Sequence, residues 1–317
     1  SKAVSQPTIS RFFSRLSETN IHELETIIRR LGDLNLLDRN QQELIIDVDS
    51  THADTFGKQE NATYNAHYQV EGYHPLLAFD AVSGVLINVK QRPGNQYTSR
   101  GIREFLEPLL VHYHGYSCDP DILIRGDSGF ATPDVYTLCD EQKVNFIVKL
   151  KSNHRLQQLA EKHILYGVLG METQYYELDY RPDTWTRTYR VVLKATKSVD
   201  ELLFNEYEFL VINLVEPTIS SLFDTYHQRG VVENYIKEIK DGFFLDKTDS
   251  HSYLINTFHM LISGVAYNLV QAMKSAVLPP TEATHSITTL RFKLLHIPAR
   301  IVSVSYTHLT LPTICSV

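Results

Sequence analysis

Cysteine is scarce in this chain: 317 residues hold three thiols, Cys118, Cys139 and Cys315, with no Cys-x-x-Cys spacing. Three such residues cannot build a disulfide framework and suggest neither a zinc site nor a redox pair, so they read as structural. Long apolar runs are missing too. The richest, HMLISGVAYNLV at 259–270, is broken by polar residues and too short to cross a bilayer, and no signal pattern opens the sequence. The expectation is a cytoplasmic protein with no membrane partner. There is no excess of positive charge either, the net value being −7, which weighs against a simple phosphate-coating protein. A local basic channel stays compatible with that balance if carboxylates gather around metal ions. Only one tryptophan, Trp185, is present, and no internal repeats or low-complexity linkers occur.

What is there suffices for a large core: 43% of the residues are hydrophobic and 21% charged. Residues 1–40 read as a helical segment that starts inside a module, as if an upstream part were missing. Residues 41–150 carry the pattern of an α/β sheet. ELIIDVDST (43–51) is a short β-branched run ending at two aspartates, and YHPLLAFDAVSGVLINVKQRPGN (73–95) reads as two strands around a Ser-Gly turn. An amphipathic helix at 99–115, a buried strand DILIRGDSGF (121–130), a short helix PDVYTLCDEQ and a strand NFIVKL follow. Residues 151–217 are β-rich and read as an inserted subdomain, and 218–302 are helical. The last stretch, 303–317, continues no pattern and reads as a non-native tail.

Three carboxylates stand out by position. Asp49 ends the first strand, with Asp47 two residues earlier on the same face; Asp127 ends a later strand; Glu233 lies in YHQRGVVENYIKEIK (226–240). In an open α/β sheet functional groups collect at the carboxyl ends of strands, although a single aspartate there is more often a turn residue. Asp49 is preferred over Asp47 because Ser50 and Thr51 follow it directly. Taken as one helix, 226–240 places Tyr226, Arg229, Glu233 and Lys240 in a stripe about 60° wide beside the apolar face. A solvated edge with Arg229 and Glu233 as an i,i+4 pair is the plainer alternative.

DVDST, TFGKQENATYNAHYQVEGYHPLLAF, RPGN, RGDSGFATPDVY and YHQRGVVENYIKEIK together resemble the DDE transposases of bacterial insertion sequences, specifically the IS-thirteen-eighty group of the IS-four superfamily. The resemblance spans about residues 5–302, and Tyr226, Arg229, Glu233 and Lys240 match that superfamily's spaced Y-R-E-K signature. It implies an RNase H-like mixed sheet with flanking helices and a β-rich insertion before the last catalytic helix. It also implies that Asp49, Asp127 and Glu233 are the catalytic residues and metal ligands, holding two Mg²⁺ ions or Mn²⁺ in their place. Two such ions stabilise charge on the attacking and leaving oxygens of a phosphodiester, and hard cations take carboxylate oxygen.

The implied function is metal-dependent cleavage and joining of DNA at the inverted-repeat ends of a mobile element. It would proceed cut-and-paste through a hairpin intermediate, with a homodimer in the DNA complex and target DNA as second partner. Nucleoid association would follow from DNA binding. Arg229 and Lys240 suit phosphate contacts, one as a fork and one as a point charge. Tyr226 suits a phosphate hydrogen bond or packing at a helix edge, and Trp185 suits either stacking on an unpaired base or the core. His67 and His74 read as hydrogen-bonded strand residues. Residues 152–156 and the basic side chains at 187, 190, 194 and 197 are either a DNA-facing surface or a solvated β face. Two other readings share part of the pattern: an RNase H-like nuclease, and a truncated or domesticated DNA-binding protein without catalysis.

Overall fold

The computed structural model describes residues 5–38, 41–116, 120–164, 173–185, 187–197, 206–215 and 217–295. Helices α1 (Gln6–Phe13) and α2 (Glu18–Asp38) lead into strand β1 (Glu43–Ser50). Short strands β2 (Ala53–Asp54), β3 (Thr63–Asn65) and β4 (Val70–Tyr73) follow, then the hairpin of β5 (Leu76–Asp80) and β6 (Leu86–Lys90). Next come α3 (Ile102–His114), β7 (Asp121–Gly126), α4 (Pro133–Gln142), β8 (Asn145–Leu150) and α5 (His154–His163). Strands β9 (Thr173–Leu178), β10 (Arg190–Thr196) and β11 (Glu206–Ile212) precede the closing helices. These are α6 (Ile219–His227), α7 (Gly230–Phe243), α8 (Tyr253–Ala276), α9 (Pro280–Ala283) and α10 (Ile287–Leu295).

A mixed eight-stranded sheet in the order β6-β5-β1-β7-β8-β11-β10-β9 forms the centre. Strands β6 and β5 run antiparallel up to β1, whereas β1, β7 and β8 are parallel neighbours, the mixed α/β arrangement expected from the sequence. The β-rich stretch after α5 continues this sheet, because β11 pairs antiparallel with β8 and carries β10 and β9 outward. Parts of that stretch, together with Cys118, Cys315 and the tail at 303–317, lie outside the described residues. A second sheet, β2-β4-β3, had no counterpart in the sequence reading, since strands of two to four residues carry too few positions for an alternation.

The alternation of strand side chains sorts the core into two layers. On β5, Leu77 and Phe79 face a cluster built with Ile28 of α2 and Met260, Leu261 and Tyr267 of α8. Leu76 and Ala78 face the opposite cluster, with Ile102, Phe105 and Leu109 of α3 and Val135 and Leu138 of α4. Each fully buried large side chain contributes about 1.5–3 kcal/mol. The β5–β6 turn closes at Gly84, whose φ of +73° suits a residue without a Cβ, while the Asp80 carboxylate accepts from the Val82 and Ser83 amides.

Strand β6 is an edge of the large sheet, and α8 covers that edge with one side chain. Asn268, fully buried, accepts from the Leu86 amide at 3.0 Å and donates to the Leu86 carbonyl at 2.7 Å, standing in for a missing strand. Replacing it by leucine would strand both backbone groups, at about 1–3 kcal/mol for each. A lowered denaturant midpoint with an unchanged slope is therefore expected for Asn268→Leu.

Candidate active site

Two aspartates end β1 on one face, and the structure assigns them different partners. Asp47 is fully buried and is gripped by Arg125 from β7, Nε to Oδ1 at 2.7 Å and Nη2 to Oδ2 at 2.6 Å. The two residues are partners in the parallel β1–β7 register, and Arg125 Nη1 also donates to the Thr225 carbonyl of α6 at 2.5 Å. Burial lifts the Asp47 carboxyl against the pull of Arg125. With both oxygens committed, Asp47 is a brace between β1, β7 and α6. A lone arginine inside the apolar run DILIRG was the readable sign of such a buried partner.

Asp49 lies at the open end of the same strand, with 16% of its side chain exposed. Oδ1 accepts from the Ser50 amide at 2.8 Å, and Oδ2 meets Arg229 Nη2 at 2.9 Å. Asp127 follows β7 immediately, heads the short helix Ser128–Phe130 and accepts from the Gly129 amide at 2.9 Å. Gly129 is confined: a Cβ there would meet Thr98 at 2.9 Å and the Asp127 carboxylate at 3.1 Å. Glu233 sits in the first turn of α7, exposed, where the helix dipole favours a carboxylate. Burial, joined by repulsion from Asp127 and Glu233, outweighs the Arg229 guanidinium and pushes Asp49 up to about 6. Asp127 and Glu233, from two other elements, thus both act on Asp49 at the end of β1.

The stretch 226–240 is not one helix. Tyr226 belongs to α6, which ends at His227; Gln228 and Arg229 form a bend, and α7 starts at Gly230. The Arg229 amide bonds to the Tyr226 carbonyl at 2.9 Å and the Val232 amide to the Arg229 carbonyl at 2.9 Å, the tight i→i+3 geometry of a short 3₁₀ joint. The helical wheel that aligned the four polar residues therefore does not hold across the joint, and Gly230 was its overlooked sign. The groups nevertheless converge. Lys240 Nζ donates to the His52 carbonyl at 3.0 Å and pairs with Asp246 at 3.3 Å, just past the end of β1. Tyr226 is buried beside Leu222, Phe223 and Leu210, and burial pushes its phenol up to about 12, with Arg229 opposing and Asp127 and Asp49 adding to the rise.

Of the two readings of Trp185, the structure has the core one. Its ring is 7% exposed and packs edge-on against Tyr136, Tyr180 and Tyr189, with centroids 5.5, 5.8 and 5.5 Å away. Such a ring cannot stack on a base without leaving the core. Trp185→Phe is expected to lower the thermal midpoint and leave DNA affinity, measured by fluorescence anisotropy, unchanged. Several basic side chains nearby also have local partners: Arg187 pairs with Asp140, Arg190 with Glu177, and Arg155 lies over the Tyr180 ring. His74 Nδ1 lies 2.9 Å from the Gln96 carbonyl, as a hydrogen-bonded histidine should. A residue missed in the sequence is Tyr68, which stacks on His52 at 4.7 Å and feels both Asp49 and Asp127. Its setting in the aromatic-rich TYNAHYQVEGYH was the available signal.

The donor set suits a hard divalent cation, being all carboxylate oxygen. Among the described residues no three ligating side chains stand close enough to hold an ion as placed, and Arg229 occupies the free oxygen of Asp49. No helix among the described residues is long and apolar enough to cross a membrane.

A family model described as transposase DDE domain group 1 matches residues 1–317. No curated protein sequence matches the chain. Among solved structures, a piggyBac transposase synaptic complex with hairpin DNA is similar in fold, with a TM-score of 0.52 and 13% identity over 81% of this chain. The chain spans 55% of that protein's length.

Proposed function

The chain belongs to the transposase DDE domain family, group 1, and on that premise we propose that it cleaves and joins DNA at the inverted-repeat ends of an insertion sequence of the IS-thirteen-eighty group. What supports the proposal is that Asp49 and Asp127 stand at the carboxyl ends of the neighbouring strands β1 and β7, with Glu233 in electrostatic reach of Asp49, Arg229 on Asp49 and Lys240 at the His52 carbonyl. The three carboxylates would hold two Mg²⁺ ions, with Mn²⁺ able to replace them. When bound, such ions supply charge stabilisation at the attacking and departing oxygens.

The chain's own residues do the rest. Asp49 and Asp127, fixed on rigid strand ends, set the position of the phosphate relative to the protein. Glu233 approaches from α7, exposed and able to adjust. Arg229 offers a planar fork to a phosphate, and Lys240 a point charge against Thr51 and His52, two and three residues beyond Asp49. DNA is the partner, in keeping with a solved relative that was captured with hairpin DNA. We extend the hairpin route, the cut-and-paste outcome and a homodimer on DNA to this chain.

The test uses end-labelled DNA carrying the terminal repeats that flank the gene, with Mg²⁺ and a supercoiled target. Nicked, hairpin and joined products are expected. Cleavage of RNA–DNA hybrids without joining would favour a nuclease instead, and binding without cleavage would leave only a DNA-binding protein.

A further inference from the structure

The two aspartates of β1 each meet one arginine, and the contrast between the pairs is informative. Arg125 grips both oxygens of Asp47 with neither side chain more than 1% exposed. Arg229 makes a single contact with Asp49 Oδ2, at a site where the two side chains are 10% and 16% exposed. Its remaining hydrogen bond, Nη2 to the Val48 carbonyl, is long at 3.3 Å. Its Nε is buried with no hydrogen-bond partner, although Arg229 as a whole is only 8% exposed. A buried guanidinium N–H without an acceptor is costly. The Asp47 pair is complete, and the Asp49 pair is not.

Resting on the functional reading above, we propose that Arg229 is a built-in counter-cation for the acidic cluster, which leaves Asp49 for a DNA phosphate when a divalent ion takes its place. With Ser50 on Oδ1 and Arg229 on Oδ2, each Asp49 oxygen already has one partner, and a divalent ion bound there competes with the guanidinium for the same negative charge. The formal charge of the three carboxylates and the guanidinium is −2, which one divalent ion neutralises; the released Arg229 then has Nε and Nη2 free to grip a phosphate through two parallel bonds. The backbone need not move. Arg229 stands on the bend between Tyr226 and Val232, both buried, so the exchange is a side-chain rotation. Metal loading and DNA capture are thereby coupled through one residue, and each must strengthen the other.

The test is Mn²⁺ binding to the full chain without DNA, read from the electron paramagnetic resonance signal of free Mn²⁺. Arg229→Gln should bind Mn²⁺ roughly tenfold tighter than the unmodified chain, given a charge-assisted contact of ordinary strength. Arg229→Lys, which keeps the charge without the fork, should fall between them. Adding terminal-repeat DNA should tighten Mn²⁺ binding by the unmodified chain and have a smaller effect on Arg229→Gln. Equal or weaker Mn²⁺ binding by folded Arg229→Gln or Arg229→Lys would overturn the counter-cation role while leaving the metal site standing. If Asp49→Asn changes Mn²⁺ binding in neither background, the metal-site reading falls, and this role with it.

Discussion

Glu233→Gln is expected to bind terminal-repeat DNA as the unmodified chain does and to lose Mg²⁺-dependent nicking and joining by roughly 10²–10³-fold or more, the scale of losing one group that stabilises transition-state charge. Two features separate this loss from misfolding. Glu233 is exposed on the first turn of α7, and the amide keeps its size, so the melting temperature should stay put. Its influence also reaches Asp49, whose ionisation it opposes together with Asp127. Removing the charge therefore eases the electrostatic strain of the cluster while removing a ligand. A variant equally stable and catalytically silent, compared by gel assay on labelled ends, is the outcome expected. Retained nicking would mean that Glu233 is only a helix-terminus carboxylate.

The second large effect concerns stability. Arg125→Met leaves Asp47 buried on β1 without the guanidinium that binds both its oxygens, and breaking such a buried pair costs about 3–5 kcal/mol. Asp47 is fully buried and Arg125 is 1% exposed, so water cannot take the arginine's place. The double variant Asp47→Leu with Arg125→Met should recover most of the loss, because an apolar pair of similar volume avoids the stranded charge. Denaturant unfolding of the two single variants and the double variant measures the coupling. A near-additive result would show that the pair is not the brace the geometry indicates. The same series separates the neighbours: Asp47 variants should lose stability, and Asp49→Asn should fold but fail in catalysis.

Much of this arrangement was legible before any coordinates. The β-branched run ending at Asp47 and Asp49, the Ser-Gly turn between β5 and β6, and the alternation of strand and helix through β8 each follow from local pattern. Local pattern favoured Asp49 over Asp47 only through the Ser50 and Thr51 that follow it. Both aspartates share a face, and the choice depends on Arg125 lying opposite in the parallel register, a non-local fact. The joint at Gln228 and Arg229 escaped because these two residues are themselves good helix formers and only Gly230 betrays it. The core reading of Trp185 was one of two the sequence offered, and its three tyrosine neighbours, distant in sequence, are what local pattern could not supply.

TFGKQENA shows the same limit from another side. Gln59 and Glu60 look like candidates for chemistry, yet Gln59 Nε2 donates to the Thr248 carbonyl at 2.6 Å and the Tyr253 amide donates to Glu60 at 3.0 Å. They stitch the segment after β1 to the turn between α7 and α8. The same turn carries Asp246, which pairs with Lys240 at 3.3 Å.

Asp49, Asp127 and Glu233 are proposed to hold divalent cations together when DNA is bound. The most direct measurement is anomalous scattering from Mn²⁺ in a crystal of the chain with cleaved terminal-repeat DNA. Anomalous peaks ligated by all three carboxylates, with Arg229 moved from Asp49 onto a phosphate, are predicted. A complex in which DNA is bound, Arg229 still holds Asp49 and no Mn²⁺ lies between the three carboxylates would contradict it.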